Sequence, residues 1–285
     1  MVLYFGNIST KYQIPGFSCF GKTCLVVWMV LGSGSLPAQP IHFTSAYNSG
    51  MLSSDRFSPE YESPVLQPSL LPEVSSPVIS THIQSRFSGF GIYALGLHLA
   101  SPLQDGFGIG LSVLSIGHPD YHSTDILLSA GKKLSEYWGI GISQRLNGRR
   151  VGDEGRPWGG SSSIAASFNR SQWGLALTLS GLMPWNRSGL SEIFSAQLAS
   201  YITWETRTQL YLLAAYSENE LVPVVGIRQS IMHNVDVFGA FRLYPARYGL
   251  GFSLTLAKTL KSTISTRYHP VLGWSPSVGI RWNGN

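Results

Sequence analysis

From about Ile79 to the C-terminus, apolar residues fall on every second position in blocks of roughly eight to twelve residues, the signal of half-buried strands. The block from Tyr248 to Ala257 is the clearest. Tyr248, Leu250, Phe252, Leu254 and Leu256 fall on one face, and Gly249, Gly251, Ser253, Thr255 and Ala257 on the other. Trp173, Leu175, Leu177 and Leu179 alternate with Gly174, Ala176, Thr178 and Ser180 in the same way, as do Phe107, Ile109, Leu111 and Val113 with Gly108, Gly110 and Ser112. Less regular blocks span 90–100, 124–132, 138–146, 161–168, 191–202, 207–217, 223–231, 235–243, 262–268 and 276–282, making thirteen in all.

Short connections at 103–106, 133–136, 169–172, 203–206, 233–234 and 258–261 alternate with longer ones at 118–123, 148–160, 183–189, 218–222, 244–247 and 269–275. Short periplasmic turns facing longer external loops are the asymmetry of transmembrane barrels. If both ends of the barrel face the periplasm, the strand count must be even. Val78 to Arg86 supplies the missing strand, at the cost of a short external connection at Phe87. Fourteen strands with their turns need about 205 residues, the length of the stretch from 79 to 285.

Composition decides between this barrel and a soluble sandwich. Only 12% of the 285 residues are charged, while 44% are hydrophobic, 12% are aromatic and 31 are Gly. An ordinary soluble domain carries about 25% charge. A sandwich facing water would place charges on the polar face of each strand, but these faces are Gly, Ala, Ser and Thr with an occasional Arg. Disorder is excluded by the hydrophobic and aromatic content. A helical bundle is excluded because the longest apolar run, Cys24 to Leu31, is far below the roughly 20 residues of a span. In lipid every strand edge must be paired, so an all-strand membrane protein closes on itself. The expected fold is all-β, a closed antiparallel transmembrane β-barrel of about fourteen strands with an irregular N-terminal segment. Tyr137, Trp138, Trp173, Tyr201, Trp204, Tyr248, Trp274 and Trp282 stand at block ends, where aromatic rings occupy membrane interfaces.

The N-terminus reads as an export signal. No acid precedes Asp55, Lys11 and Lys22 precede the apolar Cys24-Leu-Val-Val-Trp-Met-Val-Leu31, and Leu36-Pro-Ala38 gives a small residue for cleavage after Ala38. Both cysteines, Cys19 and Cys24, fall in this segment, and Cys24 opens the apolar run rather than following it as a lipoprotein cysteine would. Residues 39–78 are rich in Pro and Ser, and Pro cannot donate within a central strand. This stretch is expected to be an arm or a plug, partly packed through Leu66, Leu70, Leu71 and Val74.

Little in the sequence points to catalysis. His118-Pro-Asp-Tyr-His122 places two imidazoles and a carboxylate within one loop, but a polar external loop explains them, and no metal or cofactor is expected. The charged run Gly148 to Pro157 reads as a solvated loop. Gly108-Ile-Gly110 and Gly139-Ile-Gly141 lack the strand-turn-helix setting of a phosphate loop and read as lumen-side glycines. No Gly-x-Ser-x-Gly stands on a turn, so a barrel-embedded hydrolase is the weakest alternative. The net charge of +5 is scattered, unlike the stripe of a nucleic-acid reader. Arg228, Asp236 and Arg242 fall on lumen faces of neighbouring strands, where charges set selectivity or cluster for structure.

The hairpin spacing, the block Gly131-Lys-Lys-Leu-Ser-Glu-Tyr-Trp-Gly-Ile-Gly141 and the ending Tyr268-His-Pro-Val-Leu-Gly-Trp-Ser-Pro-Ser-Val-Gly-Ile-Arg-Trp282 resemble the PorV/PorQ-type outer-membrane barrels of Bacteroidetes. These are themselves similar to the fourteen-stranded FadL transporters. The resemblance, over about residues 79–285, implies a role in type IX-like protein secretion or in passage of small apolar molecules, and no catalytic residue. The expectation is therefore an exported outer-membrane transport or secretion-accessory barrel. Its partners would be membrane lipid and other secretion or envelope proteins. A structural or adhesion barrel presenting its external loops is the alternative.

Overall fold

The computed structural model describes residues 45–54, 63–118, 121–152, 158–186, 194–205, 207–217, 220–243 and 245–284. The expected signal peptide, with both cysteines, lies outside the described residues. Three short helices come first: α1 (Ala46–Gly50), α2 (Ser63–Leu66) and a 3-10 helix (Pro68–Glu73). The strands then follow as β1 (Val78–Arg86), β2 (Ile92–Pro102), β3 (Phe107–His118), β4 (Tyr121–Lys133), β5 (Trp138–Val151), β6 (Trp158–Asn169) and β7 (Trp173–Asn186). The second half is β8 (Ser195–Trp204), β9 (Thr208–Ser217), β10 (Glu220–Met232), β11 (Val235–Arg242), β12 (Arg247–Ala257), β13 (Leu260–His269) and β14 (Gly273–Asn283). Each strand pairs antiparallel with its sequence neighbours, and β1 pairs with β14 to close a fourteen-stranded barrel.

The exterior inverts what water would select. Outward Ile142 and Leu250 are 63% and 57% exposed, whereas inward Ser253 and Ser277 are 0% and 2% exposed. Such a band is stable only against lipid. Aromatic rings girdle both ends. At the short-turn end Phe168 stacks among Trp138 and Trp173, each with centroids 5.1 Å away. At the other end Phe241, Tyr248, Tyr268 and Trp274 form a chain of ring contacts 4.9–6.1 Å apart. Tyr201 departs from this pattern. Its strand partner is the inward Gly174, so its ring packs with the lumen cluster of Tyr47, Met51, Tyr211 and Phe238. Its hydroxyl lies 2.7 Å from Asn169 Oδ1, tying the β6–β7 turn.

The longer connections are shorter than expected because strand pairing outlasts hydrophobic alternation. β4, β5 and β7 run 13, 14 and 14 residues, and pairing of His118 with Tyr121 consumes most of the anticipated 118–123 loop. Beyond the lipid, the outward residues no longer need to be apolar, yet the backbone ladder continues. There His122 Nε2 contacts the hydroxyls of Ser115 and Thr124 at 3.4 and 3.3 Å.

Residues 45–54 and 63–74 lie in the lumen. Ser45 caps α1, its Oγ accepting from Asn48 N at 2.9 Å, and Tyr47, Asn48, Ser49 and Met51 are at most 1% exposed. α1 packs against β11–β14 and the 3-10 helix against β2–β6. The described residues of the Pro/Ser-rich arm thus pack inside the barrel.

Candidate functional site

The seat of this plug is built from glycines and small polar residues on inward strand positions. At Gly131 a Cβ would lie 2.1 Å from the Pro68 carbonyl oxygen, and at Gly249 one would lie 2.1 Å from the Gly50 carbonyl oxygen. Gly108, Gly139 and Gly141 likewise abut Leu71, Ser69 and Pro68, so both Gly-x-Gly fragments are points of close backbone approach. Serines complete the fit. Ser129 Oγ donates to Val65 O at 2.8 Å, Ser167 Oγ to Ser69 O at 3.3 Å, and Gln84 Nε2 to Ser49 Oγ at 2.6 Å. Thr178 bonds to the Gln67 side chain and Ser265 to the Ala46 carbonyl. Leu70 enters an apolar recess of Ala176, Ala199, Leu213, Val222 and Val224, and Tyr47 meets Phe238 with centroids 4.3 Å apart. β9–β11 therefore carry apolar residues on both faces: lipid covers one face and the plug covers the other.

Charged groups gather at the two mouths. Near the short-turn end, Asp236 accepts from Arg228 at 3.0 Å, from Lys261 at 2.7 Å and from Ser230 Oγ at 2.7 Å. Arg228 also donates to Gln209 at 3.2 Å. Arg242 stands elsewhere. It lies six positions along β11 from Asp236, about 20 Å at strand rise, at the opposite mouth. There it is paired in register with Arg247. The charges of Arg86, Arg247 and Arg242 all bear on Arg267, and Glu220 is the described acid facing Arg242. β1 and β13 both flank β14, so barrel closure brings Arg86 and Arg267 to the same wall. Burial is deep for both, at 7% and 6% exposed.

Opposite polarity in chemistry, rather than charge, lies beside them. Arg86 pairs in register with Ile92, which packs on the buried Ala94, Leu114 and Ile116. Below this patch, the inward His82 and His98 rings stack 5.4 Å apart and nearly parallel. Further round the wall, Asp125 faces Arg145 and Arg149. The vestibule thus joins an arginine wall to an apolar one. The sequence reading names Arg242 but misses Arg86, Arg247 and Arg267. Each lies two positions from an inward residue, Gln84, Gly249 or Ser265, and extending that parity finds it. In the loop 118–122, residues 119 and 120 lie outside the described residues. Among the described residues no group of three His, Asp or Glu side chains converges to hold a metal.

No family model and no curated protein sequence matches the chain. Solved structures do match the fold. The CymD monoaromatic hydrocarbon channel superposes with a TM-score of 0.62 at 9% identity, over 85% of this chain and 98% of that one. A FadL homologue from Pseudomonas aeruginosa gives 0.62 at 9% identity, over 85% and 99%. The Ralstonia pickettii toluene transporter TbuX gives 0.60 at 6%, over 79% and 94%. The chain shares its barrel fold with these proteins, two of which are a named channel and a named transporter.

Proposed function

We propose that this protein is an outer-membrane transport barrel for small amphiphiles with an apolar body and an anionic head, gated by its N-terminal plug. The observation that carries this reading is the vestibule, where Arg86, Arg242, Arg247 and Arg267 stand beside Ala94, Leu114 and Ile116 above the plug. Guanidinium groups bind carboxylate, sulfonate and phosphate through charge-assisted hydrogen bonds, while the apolar wall removes the body from water. The neighbours named as hydrocarbon and toluene channels support passage of apolar compounds through this architecture. In this reading the chain is exported through the general secretory pathway, the short turns face the periplasm and the arginine vestibule faces outward.

The test is flux of p-toluenesulfonate and of neutral benzyl alcohol into proteoliposomes. Removing Arg86 and Arg267 together (R86Q/R267Q) is expected to lower sulfonate flux or its saturable binding by at least about tenfold, since hydrogen bonds to charged groups contribute about 1.5–3 kcal/mol each. Benzyl alcohol flux should change little. Equal sulfonate handling by parent and variant would overturn the anionic preference. A secretion accessory, the role implied by the PorV/PorQ resemblance, would instead show no solute flux and would co-purify with other envelope proteins.

A further inference from the structure

The lipid-facing side of the wall is not uniformly convex. Across β3–β7 it holds a groove of about 550 Å³, within the roughly 300–1,000 Å³ of small-molecule sites. Its floor lies at two outward alanines. Ala130 pairs with Ile142, and Ala166 pairs with Ile140 on one side and Leu177 on the other. Small residues set among large ones leave a channel one side chain deep. Every lining side chain is apolar except Lys132.

Lys132 sits at the short-turn end of the groove, its ammonium 4.4 Å from the centre of the Phe107 ring. Among the described residues that ring is its partner. Arg170 lies at the same end, over the rings of Tyr137 and Phe168 at 5.4 and 5.8 Å. Aromatic rings at this level mark the membrane interface, so both cations stand at headgroup height while the groove descends into the acyl region. A basic residue at an interface attracts anionic headgroups, and an apolar recess in a wall already facing lipid is filled by hydrocarbon.

We infer that this groove is a binding site for one anionic phospholipid, its acyl chain lying over Ala130 and Ala166 and its headgroup phosphate held by Lys132. The inference rests on the outer-membrane reading, in which the short-turn end meets the phospholipid leaflet, but it is independent of what the lumen carries.

The experiment is native mass spectrometry of the full chain, folded in detergent containing equal amounts of phosphatidylglycerol and phosphatidylcholine. One phosphatidylglycerol is expected to remain bound preferentially. Filling the floor (A166F or A130F) should remove that adduct. K132Q should lower the preference by about fivefold, the ratio one basic residue contributes at an anionic surface. L250F, outward on the opposite wall, should leave it unchanged. Heat-dependent gel migration reports whether each variant is a folded barrel, and two separate floor variants guard against loss of one. Equal retention of the two lipids by the parent, or adducts that survive A166F and A130F in folded protein, would overturn the site. A parent that never enters bilayers would instead overturn the membrane reading itself.

Discussion

Gly131→Val and Gly249→Val are each expected to raise the leak of ions and small solutes through the barrel. A Cβ at either position meets a plug carbonyl oxygen at 2.1 Å, far inside van der Waals contact. The wall cannot retreat, because Gly131 is held in register on both sides, by Gly108 and Gly141. The plug must therefore move. Overpacking of this kind costs about 1–3 kcal/mol in a close-packed interior, comparable to the hydrogen bonds that seat α2 on Ser129 and the 3-10 helix on Ser167. Liposome swelling in small sugars and single-channel recordings should both rise from the parent's baseline, with heat-modifiable migration retained. The two variants load different halves of the plug, the 3-10 helix for Gly131 and α1 for Gly249, so their leak sizes reveal which half obstructs the path. Folded valine variants as tight as the parent would show that the plug does not close the lumen.

The second large effect is expected at the short-turn mouth. Asp236→Asn removes one carboxylate that is shared by Arg228 and Lys261, leaving two cations facing each other with side chains only 11% and 18% exposed. Breaking a buried ion network by deleting one partner costs about 3–5 kcal/mol, and water at the mouth places this case near the lower figure. A urea unfolding midpoint well below that of the parent is the measurement. Adding Arg228→Gln to Asp236→Asn should recover part of the loss, since it removes the repulsion between the two cations. An unchanged midpoint for the single variant would mean that the cluster is too hydrated to hold the strands together.

The lipid-facing half of this architecture is written in the sequence because lipid tolerates only apolar side chains. Tyr248 to Leu256 and Trp173 to Leu179 could have no other period and remain in a bilayer. Closure follows from the lipid as well, since no strand edge can face it unpaired. The lumen is less legible for a physical reason. An inward glycine fits water, a ligand or a neighbouring backbone equally well, so Gly108, Gly131 and Gly141 do not declare that they seat a plug. The arginine vestibule required closure as well as parity. Arg86 and Arg267 are separated by most of the chain, and only the β1–β14 pairing sets them on one wall. Arg242 shows the converse. It shares a face with Asp236, but strand length sends the two to opposite ends.

The plug is continuous with the strand that closes the barrel. Pro77 leaves the lumen and Val78 at once begins β1, whose pairing with β14 runs from Val78 and Asn283 inward. Gly284 N donates to Pro77 O at 2.6 Å, fastening the last residue before β1 to the residue after β14. The covalent link between plug and wall thus enters at the first rung of the closing seam, so a displacement of Pro77 is felt by the plug and by the cylinder at once.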